Sequence, residues 1–150
     1  MESLFDKTSN QKLIDRINQI TAQSTPSWGK MNAAQMLAHC QVPFKVAFGE
    51  LKSKRGLMAI LFGKMAKKQF ITGNKPFKKN LPTDKNFYIS EEKHLEDERK
   101  KLIQNIQRFE QLGTNGLTRD PHPFFGKLTP NEWDRLMWKH INHHLMQFGL

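Results

Sequence analysis

Apolar residues in this 150-residue chain recur mostly every three to four positions, the period of a helix with one buried face. No stretch sustains the alternation of apolar and polar residues that marks a half-buried strand, and valine is scarce. The pattern therefore predicts an all-α fold. We expect helices near residues 9–21, 32–49, 56–70, 90–112 and 130–148.

Three of the expected helix starts resemble a capping box, in which a short polar side chain is followed three residues later by Gln or Glu. These pairs are Thr8 with Gln11, Asn32 with Gln35, and Thr129 with Glu132. Pro130 follows Thr129 at the first helical position, where a missing backbone N–H costs nothing.

Gly and Pro residues concentrate in segments 71–89 and 113–128, which we expect to be long loops. The simplest architecture is an up-and-down four-helix bundle with one additional short basic helix, near 56–70. The length suits a single domain over residues 1–150 and is too short for two ordinary domains.

The composition, 37% hydrophobic and 25% charged, is that of a folded protein. The longest apolar run, Gly56–Gly63, is far shorter than the roughly 20 residues that span a bilayer, so we expect no membrane span. No signal peptide is recognisable, and the only cysteine, Cys40, excludes an internal disulfide. These features predict a cytoplasmic protein.

The net charge of +10 comes almost entirely from one segment, which we call the basic segment, Lys52 to Lys85. It contains ten basic residues and one acid, Asp84. One interpretation is a surface that binds a polyanion without catalysis, with a short helix whose Leu57, Ile60, Leu61 and Met65 could also dock on a membrane. The other, which we favour, is a solvated helix whose apolar side covers the bundle. Nucleic acid is a poor candidate because no Arg-rich or RNP-like motif accompanies the lysines.

The last helix carries histidines on its apolar face. Trp133, Met137 and Phe148 define an apolar stripe on a helical wheel, and His140 and His144 lie near its centre, one turn apart. Each buried imidazole has a donor and an acceptor to satisfy, so this pair needs partners.

Two histidines at this spacing can share one metal ion, and a third ligand must then come from elsewhere. His39, in the middle of the second helix and one turn before Pro43, is the best candidate. Three neutral imidazoles without a carboxylate suit Zn²⁺ or Ni²⁺ and leave a coordination position open. Gln35, His143 and Gln147 are candidates for orienting the ligands. The hypothesis requires the three rings to lie within about 8 Å of one another.

Other interpretations of these residues stay open. The histidines could only hydrogen-bond one another and the backbone, as part of a structural bundle without metal. Cys40 is expected to be a small buried apolar residue, and His94 to be solvated. His122 fits either a structural hydrogen bond or a place near the mouth of the bundle. The acids around Glu91–Glu98 favour the helix dipole and need no catalytic role.

The stretch WGKMNAAQMLAH, Trp28 to His39, and the ending HPFFGKLTPNEWD…WKHINHHLMQFG from His122 resemble the DinB/YfiT-like superfamily, specifically an uncharacterised bacterial branch. The middle stretch Lys79–Asp84 adds a weaker similarity. The resemblance implies a four-helix bundle, often a homodimer, that binds a divalent metal through three histidines.

Carried over to this sequence, the implied metal ligands are His39, His140 and His144. His143 is an additional histidine relative to the superfamily pattern, and the helical wheel favours His144 over it as the ligand. Characterised relatives include transferases and an isomerase that use low-molecular-weight thiols. We therefore expect a metalloenzyme, a hydrolase or thiol-dependent transferase, that acts on a small molecule; its catalytic residues are not identified by sequence.

Overall fold

The structure is a computed structural model that describes residues 2–73, 75–81 and 87–150. Within these ranges the chain forms five α-helices and no β-strand, which confirms the all-α prediction for the described residues. The helices are α1 (Lys7–Asn18), α2 (Ala33–Ala47), α3 (Leu57–Ala66), α4 (Leu95–Leu112) and α5 (Pro130–Gln147). A π-helical segment, Lys67–Thr72, continues α3, and a 3-10 turn, Gly113–Gly116, follows α4.

Part of the predicted loop 71–89 lies outside the described residues. The same is true of Asp84 and Lys85 in the basic segment and of the end of the Lys79–Asp84 stretch.

The four longer helices share one apolar core. α2 packs against α4 and α5, and α1 packs against the same two helices, while the π-helical segment contacts α5. The largest fully buried side chains include Trp133, Phe44, Phe109, Leu37 and Ile106. No helix in the described ranges has both the length and the apolar character needed to cross a bilayer.

Two of the three predicted capping boxes are present. The side chains of Asn32 and Thr129 accept hydrogen bonds from the backbone of Gln35 and Glu132, which bond back to the caps. Both helices start where the sequence predicted, and Pro130 occupies the first position of α5 as expected.

The third predicted box, at Thr8, is wrong. Asp6 caps α1 instead, and its carboxylate accepts hydrogen bonds from the backbone N–H of Ser9 at 2.8 Å and from the Ser9 hydroxyl at 2.9 Å. A carboxylate is a stronger acceptor than a hydroxyl at the positive end of a helix. The helix therefore begins at Lys7 and includes Thr8.

Helix α4 begins at Leu95, later than the predicted 90. His94 precedes it as an exposed residue 3.4 Å from the Asp97 carboxylate, in agreement with a solvated role. Glu98, in the first turn, is buried and accepts a 2.7 Å hydrogen bond from the side chain of Gln41. This bond ties α4 to α2 inside the core.

We expected the apolar side of α3 to cover the bundle, and the structure shows the opposite orientation. Its buried residues are small: Ala59, Gly63 and Ala66. The large apolar side chains point away from the molecule instead. The reason is a close backbone approach, since a Cβ atom on Gly63 would lie 2.1 Å from the carbonyl oxygen of Phe124.

We expect Gly63→Ala to destabilise the protein. Alanine favours a helix interior by up to about 1 kcal/mol over glycine, but the overlap with Phe124 forces the backbones apart, for a net loss of about 1–2 kcal/mol. Urea unfolding measures the difference. Lys64→Ala, on the exposed side of the same helix, is the control and should change stability by less than about 0.5 kcal/mol. A Gly63→Ala protein as stable as the control would refute the close approach.

Candidate metal centre

Helices α2 and α5 bring three histidines together in the core. The ring centroids of His39 and His140 are 4.9 Å apart, those of His39 and His144 4.8 Å, and those of His140 and His144 4.7 Å. One ring nitrogen from each lies within 4.8 Å of the others. The three rings therefore meet the distance requirement for sharing one ion.

The hydrogen bond made by His39 fixes which of its nitrogens faces the cluster. Its Nδ1 lies 2.7 Å from the backbone carbonyl oxygen of Phe87 and must donate, because a carbonyl can only accept. In the neutral ring the proton is then on Nδ1, and Nε2 carries a free lone pair.

The same logic applies to His144 through Gln147. The amide nitrogen of Gln147 donates to the backbone carbonyl of Trp28, so its Oε1 is the atom that faces His144 Nδ1 at 2.8 Å. His144 Nδ1 must therefore donate, which leaves Nε2 as the lone-pair nitrogen. A histidine that binds a metal through one ring nitrogen usually donates the N–H of its other ring nitrogen to an acceptor, which holds the ring in place.

His140 is the ring of the three whose hydrogen-bonding capacity is least satisfied. Its Nε2 is 3.1 Å from Nε2 of His39, while its buried Nδ1 has no hydrogen-bond partner. Three ring nitrogens thus converge, two of them with lone pairs set by their neighbours. This donor set fits a metal that prefers imidazole nitrogen.

All three rings are held neutral. Burial lowers the pKa of His39, against a smaller opposing effect from its bond to Phe87. Burial, followed by the neighbouring imidazoles, lowers the pKa of His140 well below its ordinary value. The pKa of His144 falls to about 3, first through burial and then through His39. Neutral imidazole is the form that binds metals.

The spacing suits a tetrahedral ion. Zinc–imidazole bonds of about 2.0–2.1 Å in tetrahedral geometry place two ligand nitrogens roughly 3.3 Å apart. The Nε2 atoms of His39 and His140 are already 3.1 Å apart, and a ring nitrogen of His144 lies within 4.8 Å of the other two ligand atoms, so closing the site requires a shift of that ring by roughly 1.5 Å or less. No Asp or Glu is among the described residues that line the adjoining cavity.

A cavity of about 820 Å³ adjoins the histidines. Its lining is largely aromatic and includes Trp28, Phe77, Phe87, Tyr88, Phe124 and Phe125. This volume accommodates a small organic molecule, and the walls favour an apolar or aromatic one. A fourth ligand on an ion held by the histidines would face this space.

A family described as "Protein of unknown function (DUF1569)" matches residues 3–149. The chain belongs to this family. Searches of curated proteins and of solved structures found no match. The family description gives no activity, so the function has to be argued from the site.

In this member of the family His143 stands beside the cluster. Its ring lies 5.7 Å from that of Trp28 and 5.9 Å from that of Phe77, on the cavity wall. His144, not His143, joins His39 and His140, as the helical wheel indicated. Burial, then the nearby His39, lowers the pKa of His143, so it is a neutral ring open to the cavity.

The other two residues considered for orienting the ligands differ in position. Gln147 contacts His144, whereas Gln35 completes the cap of α2 with Asn32 and donates to the carbonyl of Glu91. Cys40 is fully buried, and burial raises the pKa of its thiol, which agrees with an unreactive core residue.

His122 has a structural role that the sequence left open. Its Nδ1 accepts hydrogen bonds from the backbone N–H groups of Phe124 and Phe125, at 3.0 and 3.2 Å. The turn closes through two backbone bonds between His122 and Gly126, whose φ is +75°. The histidine thus shapes the aromatic wall of the cavity. A polar residue before Pro-Phe-Phe-Gly is the signal that could have indicated this turn.

We expect His122 to make the metal-free protein sensitive to acid. Burial, aided by the charge of Arg55, lowers its pKa to about 4 from the ordinary 6.5. Between these values the unfolded chain takes up a proton that the folded protein does not, so stability present above pH 6.5 is lost as the pH falls to 4. The pKa difference corresponds to about 3 kcal/mol.

His122→Asn keeps a short acceptor for the two backbone N–H groups but cannot titrate in this range. Urea unfolding at pH 7, 6, 5 and 4 measures the free energy of unfolding. Between pH 7 and pH 4 this free energy should fall by about 3 kcal/mol less in the variant than in the wild type. The exposed His94→Asn serves as the control and should follow the wild type. If His122→Asn loses as much stability in acid as the wild type, burial of a neutral His122 is refuted.

Proposed function

We propose that the chain is a metalloenzyme in which His39, His140 and His144 hold one divalent ion, Zn²⁺ or Ni²⁺, with an open position toward the aromatic cavity. The observation that carries this proposal is the pair of hydrogen bonds that Nδ1 of His39 and Nδ1 of His144 make with oxygen acceptors. The Phe87 carbonyl oxygen and the Gln147 amide oxygen each accept a hydrogen bond from Nδ1–H of one histidine, which leaves its Nε2 lone pair facing the cluster.

The wider architecture supports the proposal. Packing of α1, α2, α4 and α5 on one another agrees with the four-helix bundle of the DinB/YfiT-like superfamily, as do the Trp28–His39 stretch and the closing motif. Metal sites in helical bundles are built from side chains on facing helices, and α2 and α5 bring the three histidines together in this way.

A bound ion would supply Lewis-acid chemistry, lowering the pKa of a water or thiol ligand so that a nucleophile exists at neutral pH. The aromatic wall would bind the apolar part of a small substrate and exclude water. His143, neutral and open to the cavity, would accept or return a proton during the reaction. The reaction class is accordingly a hydrolysis or the transfer of a group to a thiol.

Metal content tests the site. We expect untagged wild-type protein supplemented with Zn²⁺ or Ni²⁺ to retain about one ion per chain after gel filtration, as measured by elemental analysis. His39→Ala and His144→Ala should each weaken binding at least about 100-fold, because two imidazoles hold a metal poorly. Bound metal should also raise the melting temperature, and a chelator should reverse the increase.

His94→Ala is the matched control for that experiment, since it removes an exposed histidine outside the cluster. A wild-type protein that keeps no metal, or whose melting temperature responds to neither ion nor chelator, would leave the histidines as a structural hydrogen-bonded group and end the proposal.

Gln147 provides a test of tautomer control. Gln147→Leu removes the acceptor for His144 Nδ1 and should lower metal affinity about 10–100-fold with all three ligands intact. Gln147→Glu keeps an acceptor and should bind within about tenfold of the wild type. Competition with a chromogenic chelator measures both constants. Equal affinities for the Leu and Glu variants would show that this bond does not support the ligand.

A further inference from the structure

Helix α3 exposes a continuous set of large apolar side chains. Leu57 is 71% exposed, Leu61 62% and Met65 63%, and three more residues on this ten-residue helix are similarly placed: Met58, Ile60 and Phe62. Single exposed apolar residues are common, but six on one short helix form a patch that marks an interaction surface.

The exposure of these apolar side chains follows from the way α3 packs on the rest of the molecule. The helix meets the rest of the molecule through Ala59, Gly63 and Ala66, and Gly63 lies against the backbone of Phe124. Rotating α3 to bury its leucines would drive large side chains into that backbone. The outward orientation is therefore fixed by the small residues on the inner side.

Positive charge surrounds the patch. The sequence has no acid between Glu50 and Asp84, and Lys54, Lys64 and Lys68 are exposed next to the apolar side chains. Two other lysines of the basic segment, Lys52 and Lys67, are already engaged in ion pairs. Lys67, for example, lies 2.8 Å from the Glu132 carboxylate, and this ion pair anchors the end of α3 to α5.

We propose that the outer face of α3, together with Lys68 at the start of the π-helical segment that continues it, docks on an anionic membrane surface. The apolar side chains would enter the boundary between headgroups and acyl chains, and the lysines would contact lipid phosphates. A helix of ten residues is about 15 Å long, so it would lie in the plane of the interface rather than cross the bilayer.

The charge pattern favours this partner over two others. Symmetric pairing of two copies through α3 would bring together two surfaces that carry lysines and no acid from their own segment, so their like charges would repel. Single-stranded nucleic acid would need aromatic side chains for stacking, and α3 offers only Phe62 among its six large apolar residues. An anionic lipid surface uses both the aliphatic side chains and the lysines.

Vesicle flotation tests the proposal with metal-free protein, so its outcome is independent of the metal site. We expect the wild type to float with phosphatidylcholine vesicles that contain about one third phosphatidylglycerol, and to bind pure phosphatidylcholine at least tenfold more weakly. The triple variant Leu57→Gln, Leu61→Gln, Met65→Gln should lose at least tenfold in affinity for the anionic vesicles. The double variant Lys64→Glu, Lys68→Glu should lose the preference for anionic lipid.

Matched controls change the same residue types elsewhere on the surface. The double variant Leu112→Gln, Met146→Gln removes exposed apolar side chains from α4 and α5, and Lys100→Glu reverses an exposed charge on α4. Both should bind vesicles like the wild type. Circular dichroism and melting temperature should be unchanged in every variant, because the altered side chains are exposed.

Three results would overturn the proposal. The first is undiminished vesicle binding by the triple glutamine variant. The second is a wild-type dimer in analytical ultracentrifugation that the same variant dissociates, which would assign the patch to a second copy. The third is absence of vesicle binding combined with binding of a single-stranded oligonucleotide that depends on Lys64 and Lys68.

Discussion

The site depends on keeping three imidazoles uncharged and oriented inside the interface between α2 and α5. Burial disfavours the imidazolium form of each ring, so the lone pairs that a metal requires are available at neutral pH. Burial alone would leave the tautomers undefined. The Phe87 carbonyl and the Gln147 amide oxygen decide them, since each accepts one N–H and turns the other nitrogen inward.

Much of this arrangement follows from local sequence. The helical period alone places His140 and His144 on the buried side of α5 and His143 on its flank, whatever the neighbouring helix is. Asn32 and Thr129 fix the starts of the two helices that carry the site, because their caps involve only residues within one turn. The residue pattern made His39 the best candidate for the third ligand, and the motif resemblance supported that choice. Local pattern by itself does not say which helices touch.

Features that depend on backbone groups far away along the chain could not be predicted from the sequence. The acceptor for His39 is the backbone carbonyl of Phe87, and the backbone carbonyl of Trp28 orients Gln147, the acceptor for His144. Every residue type has a backbone carbonyl, so the sequence does not mark these positions. The orientation of α3 depends on a backbone approach at Gly63 that hydrophobicity does not reveal. At the start of α1, Asp6 is the cap in place of Thr8, because a charged acceptor binds the first N–H groups of a helix more strongly than a hydroxyl does. The capping-box pattern did not consider Asp6.

The contact between Gly63 and Phe124 joins two regions far apart in the chain, because Phe124 also belongs to the aromatic wall of the cavity. The outward-facing helix α3 thus packs directly against the wall of the cavity. With that helix seated among lipid headgroups, this wall would stand at the boundary between oil and water, where apolar compounds accumulate. An apolar molecule concentrated at that boundary would be close to a cavity with aromatic walls.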